Sequence, residues 1–90
     1  MKVKVRLFAE LREKAGRSWL ELEVEEGCKV REVVERLSSL LPEAFKGVVE
    51  PGGRLAQGYT VLVNARRAAL DDEVPPNSVV AVLPPVGGGL

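Results

Sequence analysis

The chain contains no histidine and a single cysteine, Cys28. Without histidine there is no imidazole to serve as general base, to complete a serine triad or to hold a metal, so metal chemistry would have to rest on carboxylates alone. One cysteine cannot close an internal disulfide, which makes a reducing cytoplasm the expected setting. Neither sign of charge is in excess: 13 Lys and Arg stand against 13 Asp and Glu, for a net charge of zero. A non-specific nucleic-acid binder needs surplus positive charge to displace counterions, so no nucleic acid is expected as a partner. No apolar run nears the ~18 residues that suggest a membrane span. The alternating start MKVKVRLFAE lacks the apolar centre of a secretory signal. An ordinary enzyme active site is therefore not expected, and neither a membrane nor a metal is expected as a ligand.

What is present is a chain of 90 residues, enough for one domain and not for a second core. Its 46% hydrophobic and 29% charged residues are a globular mix and not a disordered one. Lys2–Phe8 alternates strictly, with Val3, Val5 and Leu7 on one side and Lys2, Lys4, Arg6 and Phe8 on the other, which predicts a half-buried strand. Ala9–Ala15 reads as a short helix, with Glu10 and Lys14 as an i,i+4 pair and Gly16 as its stop. Ser18–Glu25 alternates again, and an antiparallel pairing that sets Lys2 opposite Glu25, Lys4 opposite Glu23, Arg6 opposite Glu21 and Phe8 opposite Trp19 places every apolar residue on one side.

Val30, Val33, Val34, Leu37, Leu40 and Leu41 then recur at helical spacing, predicting a long amphipathic helix over Val30–Leu41 that Pro42 ends. Lys29 is a poor N-cap for it, while Glu32 sits where a capping-box carboxylate belongs. Pro42–Gly58 reads as loop. Thr60–Val63 reads as a strand, Asn64-Ala65 as a hairpin turn and Arg66–Ala69 as the return strand. Ser78–Leu83 is apolar throughout, as a central strand buried on both faces would be. Two hairpins joined by a helical crossover make an α+β roll: a β-grasp, ubiquitin-like mixed sheet of about five strands packed on one long helix. The domain is expected over residues 1–84 and a Gly-rich tail over 85–90. The expected core is Val3, Val5, Leu7, Leu20, Leu22, Val24, Val33, Val34, Leu37, Val61, Val63, Val80 and Val82.

Three segments carry a resemblance to a known family. Val5-Arg6-Leu7-Phe8-Ala9-Glu10-Leu11-Arg12-Glu13 with Gly16 is one, Val63-Asn64 is the second, and Asp72-Glu73-Val74 with Leu83-Pro84-Pro85-Val86-Gly87-Gly88-Gly89 is the third. In order and over the whole chain they resemble the MoaD/ThiS-type ubiquitin-like sulfur carriers, and within them the small subunit of molybdopterin synthase. The thiamin-type carriers of the same fold are shorter and fit less well.

The resemblance implies a protein that is not catalytic alone. An E1-like adenylating enzyme would use ATP to activate the terminal glycine, a sulfur source would convert it to a thiocarboxylate, and the large subunit of molybdopterin synthase would take that sulfur for the dithiolene of molybdopterin or tungstopterin. It implies Gly89 as the reacting residue with Gly88 beside it, and Phe8, Leu83, Pro84, Pro85, Val86 and Gly87 as partner contacts. No cofactor is bound in this scheme. The alternative is a ubiquitin-like protein modifier, or a sulfur carrier for tRNA thiolation, thiamin or cysteine synthesis. A reacting group that is main chain explains how a protein without histidine can carry chemistry, and glycine lets that main chain pass a narrow channel.

The sequence departs from the family pattern at Lys29, where a threonine usually caps the helix, and at Leu90, which follows the glycines. A channel shaped for glycine has no room for a branched side chain, and the extra residue moves the carboxylate by up to ~3.6 Å. The 90-residue form is therefore expected to be a poor substrate for adenylation: either Leu90 is removed first or it is foreign to the native protein. Gly87–Gly89 is no phosphate loop, since no helix or lysine follows it. Cys28, with no base near it in sequence, reads as a small structural residue. Phe8 shares its parity with charged residues, so it is expected to be partly exposed beside Leu83, with Trp19 flanking it.

Overall fold

A computed structural model describes residues 1–85. The expectations at Val86, Gly87, Gly88, Gly89 and Leu90 lie outside the described residues. Five strands and two helices follow in the order β1 Lys2–Leu7, α1 Ala9–Ala15, β2 Trp19–Glu23, α2 Val30–Leu40, β3 Thr60–Val63, β4 Arg66–Arg67 and β5 Val79–Leu83. The strands form one sheet in the order β2-β1-β5-β3-β4. β1 and β5 run parallel at its centre, and the remaining neighbours are antiparallel. This is the β-grasp roll expected from the alternation of β1 and β2 and the helical period that follows them.

The β1–β2 register differs from the one the charges suggested. Lys2 faces Glu23 rather than Glu25, Lys4 faces Glu21 rather than Glu23, and Arg6 faces Trp19 rather than Glu21. A shift of two residues keeps every side chain on its face, and the Lys/Glu alternation pairs opposite charges either way, so neither criterion could separate the two registers. The connection decides. Phe8 leaves the ladder as the extended N-cap of α1, φ −126° and ψ 155°, so it has no partner in β2 and Trp19 becomes the partner of Arg6.

α2 lies on the inward face and buries Val30, Val33, Val34 and Leu37. They meet Val3, Val5, Leu7, Leu22, Val61, Val80 and Val82 from the sheet. Leu20, Val24 and Val63, expected in the core, are only partly buried against it: Leu20 lies on the edge strand β2, Val24 just beyond that strand's end, and Val63 at the end of β3 next to the hairpin turn. The segment from Pro42 to Gly58 is irregular as expected but is no mere surface loop: Ala44, Phe45 and Val48 are buried in the core. They close the side of the roll that an 11-residue helix cannot cover. The return strand is Arg66–Arg67 rather than Arg66–Ala69. In β5 the residues Val79 and Leu83 are half-buried, so the strand is not sealed on both faces along its full length.

Lys29 makes no side-chain cap on α2. The first amides of the helix are satisfied instead by main-chain carbonyls from a distant loop: Val30 N donates to Asp72 O and Arg31 N to Leu70 O, each at 2.9 Å. The Arg31 guanidinium adds a 2.7 Å ion pair to Asp71. Cys28, just ahead of the helix, is buried. Burial pushes its thiol pKa up, with Glu32 adding to the shift, so it stays protonated and inert as a structural residue does. Among the described residues, no helix is long and apolar enough to cross a membrane.

Candidate functional site: the outer sheet face and the root of the tail

The alternation that buries Val5 and Leu7 turns Lys4, Arg6 and then Phe8 outward. One row of outward residues crosses all five strands: Trp19 is opposite Arg6, Arg6 is beside Ala81, Ala81 is opposite Leu62, and Leu62 is opposite Arg67. The next row toward the C-terminal end of β5 holds Leu83 opposite Thr60. Leu7 pairs with Val82, so the parallel register brings Phe8 level with Leu83. The two residues predicted as partner contacts therefore adjoin, half-buried, where β5 ends.

Trp19 flanks them as expected, at 46% exposure the most open aromatic of the patch. It does not stack directly on Phe8, however. The Arg6 guanidinium sits between the two rings, 5.0 Å from each centroid. This follows from the register, which gives Trp19 to Arg6. A cation over two π-faces holds both rings in place while leaving their edges free, at a gain of about 0.5–1 kcal/mol for an exposed site. Leu62 and Ala81 complete the apolar ground of the patch. Both carry the outward parity of their strands, a signal that would have found them once β3 and β5 were paired.

From Leu83 the chain passes into Pro84 and Pro85. Pro84 is half-buried and Pro85 exposed. On one flank they share a groove with Ala9 and Glu10, at the start of α1. Ala9 has φ 51°, a left-handed conformation that costs a non-glycine residue roughly 1–2 kcal/mol. It lets the chain turn from β1 into α1 directly beside the proline pair. On the other flank lies Tyr59, whose hydroxyl pKa is raised by burial and then by the neighbouring Glu10 carboxylate. The hairpin of β3 and β4 lies at the opposite end of the sheet. There Asn64 and Ala65 both take positive φ, 51° and 69°, as a two-residue turn requires. The Asn64 side chain accepts from Val79 N at 3.0 Å and donates to Ser78 Oγ at 3.3 Å, fixing the start of β5. The Val63-Asn64 motif thus anchors one end of the central strand whose other end emits the tail.

Of the site residues expected from sequence, the structure brings together Phe8, Leu83, Pro84 and Pro85. The rest of the tail lies outside the described residues. Among the described residues, no three His, Cys, Asp or Glu side chains converge as a metal site would require.

Residues 5–89 match the model of the ThiS family. Small archaeal modifier protein 1 of Haloferax volcanii is 31% identical over 84 residues, covering 93% of this chain and 97% of that protein. Its crystal structure superposes with a TM-score of 0.89 at 29% identity, over 99% of this chain and 100% of the other. A Pyrococcus furiosus structure described as molybdopterin converting factor, subunit 1, is 31% identical with a TM-score of 0.79, covering 96% of this chain and 99% of its own. The crystal structure of the BexX/CysO complex of Amycolatopsis orientalis contains a chain that is 25% identical with a TM-score of 0.73, over 97% of this chain and 99% of the other.

Proposed function

The chain belongs to the ThiS family of ubiquitin-like proteins, and on that premise we propose that it is a carrier or modifier that works through a C-terminal glycine, Gly89. In this reading an E1-like enzyme adenylates the glycine: the carboxylate attacks the α-phosphate of ATP and releases pyrophosphate. The acyl-adenylate then has two fates. A lysine amine displaces AMP, loses a proton and forms an isopeptide bond, which makes the chain a protein modifier. Alternatively hydrosulfide-level sulfur displaces AMP and leaves a thiocarboxylate, which makes it a sulfur carrier. Likeness to small archaeal modifier protein 1 over nearly the full length of both chains favours a role that includes the first fate.

One observation supports a tail-borne chemistry above all. The last strand is central, paired on both sides with β1 and β3, and it ends at an apolar outward patch from which the proline pair leads away. The strand held on both sides by β1 and β3 thus ends where Pro84 and Pro85 begin. Phe8 and Leu83 are the contacts that would hold the body against an activating enzyme while the glycines thread its channel. The family match ends on Gly89, which supports Gly89 rather than Leu90 as the reacting residue. ATP belongs to the activating partner. A lone buried thiol agrees with cytoplasmic chemistry.

A second reading, in which the thiocarboxylate supplies the large subunit of molybdopterin synthase, is favoured by the Pyrococcus furiosus structure. Intact mass of the chain recovered from its host, together with a search for proteins bearing Gly89 on lysine, separates these fates. Isopeptide-linked Gly89 supports the modifier, and oxygen replaced by sulfur on a chain ending at Gly89 supports the carrier. Absence of both, in a host that expresses the activating enzyme, overturns the proposal. Adenylation in vitro is expected from a chain stopped after Gly89 and not from the 90-residue chain. Equal acyl-adenylate from both would refute the steric argument about Leu90.

A further inference from the structure

Continued past Thr60 opposite Leu83, the antiparallel register of β3 and β5 sets Tyr59 level with Pro84 and Gly58 level with Pro85. The ladder cannot extend there, because proline has no N–H to give. The two segments nevertheless stay close. A Cβ on Gly58 would lie 2.8 Å from Pro85 Cγ and 2.9 Å from Pro85 Cβ. These separations are too short for carbon atoms, and a closed ring cannot swing aside as a flexible side chain would. Gly58 also has φ 91°, a conformation that strains any L side chain. Across the chain, Ala9 and Glu10 at the start of α1 line one groove with Pro84 and Pro85. The proline pair therefore lies between the start of α1 and the Gly58–Tyr59 turn.

We propose that Gly58 is a positioning residue for the tail: its bare Cα lets the Pro85 ring seat, so that the chain holds the line of β5 as far as Pro85. Whatever follows Pro85 starts from a fixed point and a fixed direction. This inference rests on the carrier or modifier reading, since aim matters only to a tail that must enter an active site. A fixed root lowers the ordering cost of threading. It acts on how readily the activating enzyme captures the tail, and not on the chemical step, whose reacting carboxylate lies beyond the seat.

The test measures acyl-adenylate formation by the E1-like enzyme of the same host, on whichever form it accepts, the 90-residue chain or the one stopped after Gly89. Gly58→Ala is expected to raise KM about tenfold, the order that fixing one backbone residue commands, with kcat unchanged. Gly52→Ala is the control. Gly52 has φ 97° but open space around the missing Cβ, so it carries the same backbone strain without touching the tail and is expected to leave KM alone. Pro85→Gly, at an exposed position that cannot unfold the core, is expected to raise KM by a similar factor even if Gly58→Ala folds poorly. In the Pro85→Gly background Gly58→Ala should add nothing, because both changes empty one seat.

Equal KM for Gly58→Ala and Gly52→Ala overturns the inference. So does an effect of Gly58→Ala that persists undiminished without Pro85, a loss confined to kcat, or an unchanged KM for Pro85→Gly. Failure of the parent chain to be adenylated at all would instead overturn the carrier or modifier reading, and the inference with it.

Discussion

The inward face of the sheet carries Val3, Val5, Leu7, Val61, Val80 and Val82, each at most 1% exposed. The outward face of the same strands carries Lys4, Arg6, Ala81, Leu62 and Arg67, with Phe8, Leu83 and Trp19 toward the tail. One face is a continuous apolar layer under α2. The other mixes charge with a small apolar area and, among the described residues, has no helix or strand packed upon it. The difference teaches where each kind of free energy is used. Inward residues are already out of water at ~25 cal/mol per Å² and have nothing left to offer a partner. Phe8, Leu83 and Trp19 keep part of that gain in reserve for binding, while charged neighbours keep the face soluble when it is bare.

The comparison breaks most visibly from the inward side. Leu37 is fully buried beneath the sheet. Leu37→Ala should cost about 2–5 kcal/mol of stability, read as a lowered denaturation midpoint, with partner affinity unchanged in whatever fraction stays folded. Phe8→Ala should show the opposite profile: partner affinity for the activating enzyme weakened by about 1–3 kcal/mol, and a midpoint that hardly moves. A Phe8 variant that bound normally but unfolded early would assign Phe8 to the core side of the comparison. The smallest expected effect is that of Arg6→Gln, which removes the cation between the two rings and should cost about 0.5–1 kcal/mol. Trp19 is the only tryptophan, so its fluorescence reports the change directly.

Which face each residue takes was legible in the sequence, because parity alone assigns it. Val3, Val5 and Leu7 against Lys2, Lys4 and Arg6 admit no other division. Register was not legible, because a run alternating lysine with one alternating glutamate satisfies charge at every even slip. The missing information sat in the connection, where Phe8 gives up its place in the strand to cap α1. The contribution of Phe45 and Val48 was hidden for another reason: their segment has no period, and burial without periodicity leaves only composition to read. Juxtaposition of Phe8 and Leu83 could be foreseen from parallel central strands. The approach of Pro85 to Gly58 could not, since it depends on the β3–β5 register and on an interval of Cα positions that no spacing in the sequence records.

The main-chain cap on α2 bears on the order in which this molecule assembles. An 11-residue helix is too short to persist alone in water, and the groups that finish its first turn arrive from Leu70 and Asp72. The Arg31–Asp71 contact spans 40 positions of chain. Closing so large a loop before the reward arrives slows folding relative to helices completed by their neighbours. The helix and the loop that caps it therefore become ordered in one step, and no intermediate is expected in which α2 is whole while the second half of the sheet is still unformed. Position 29 is correspondingly released from capping duty, which is why a lysine is tolerated there.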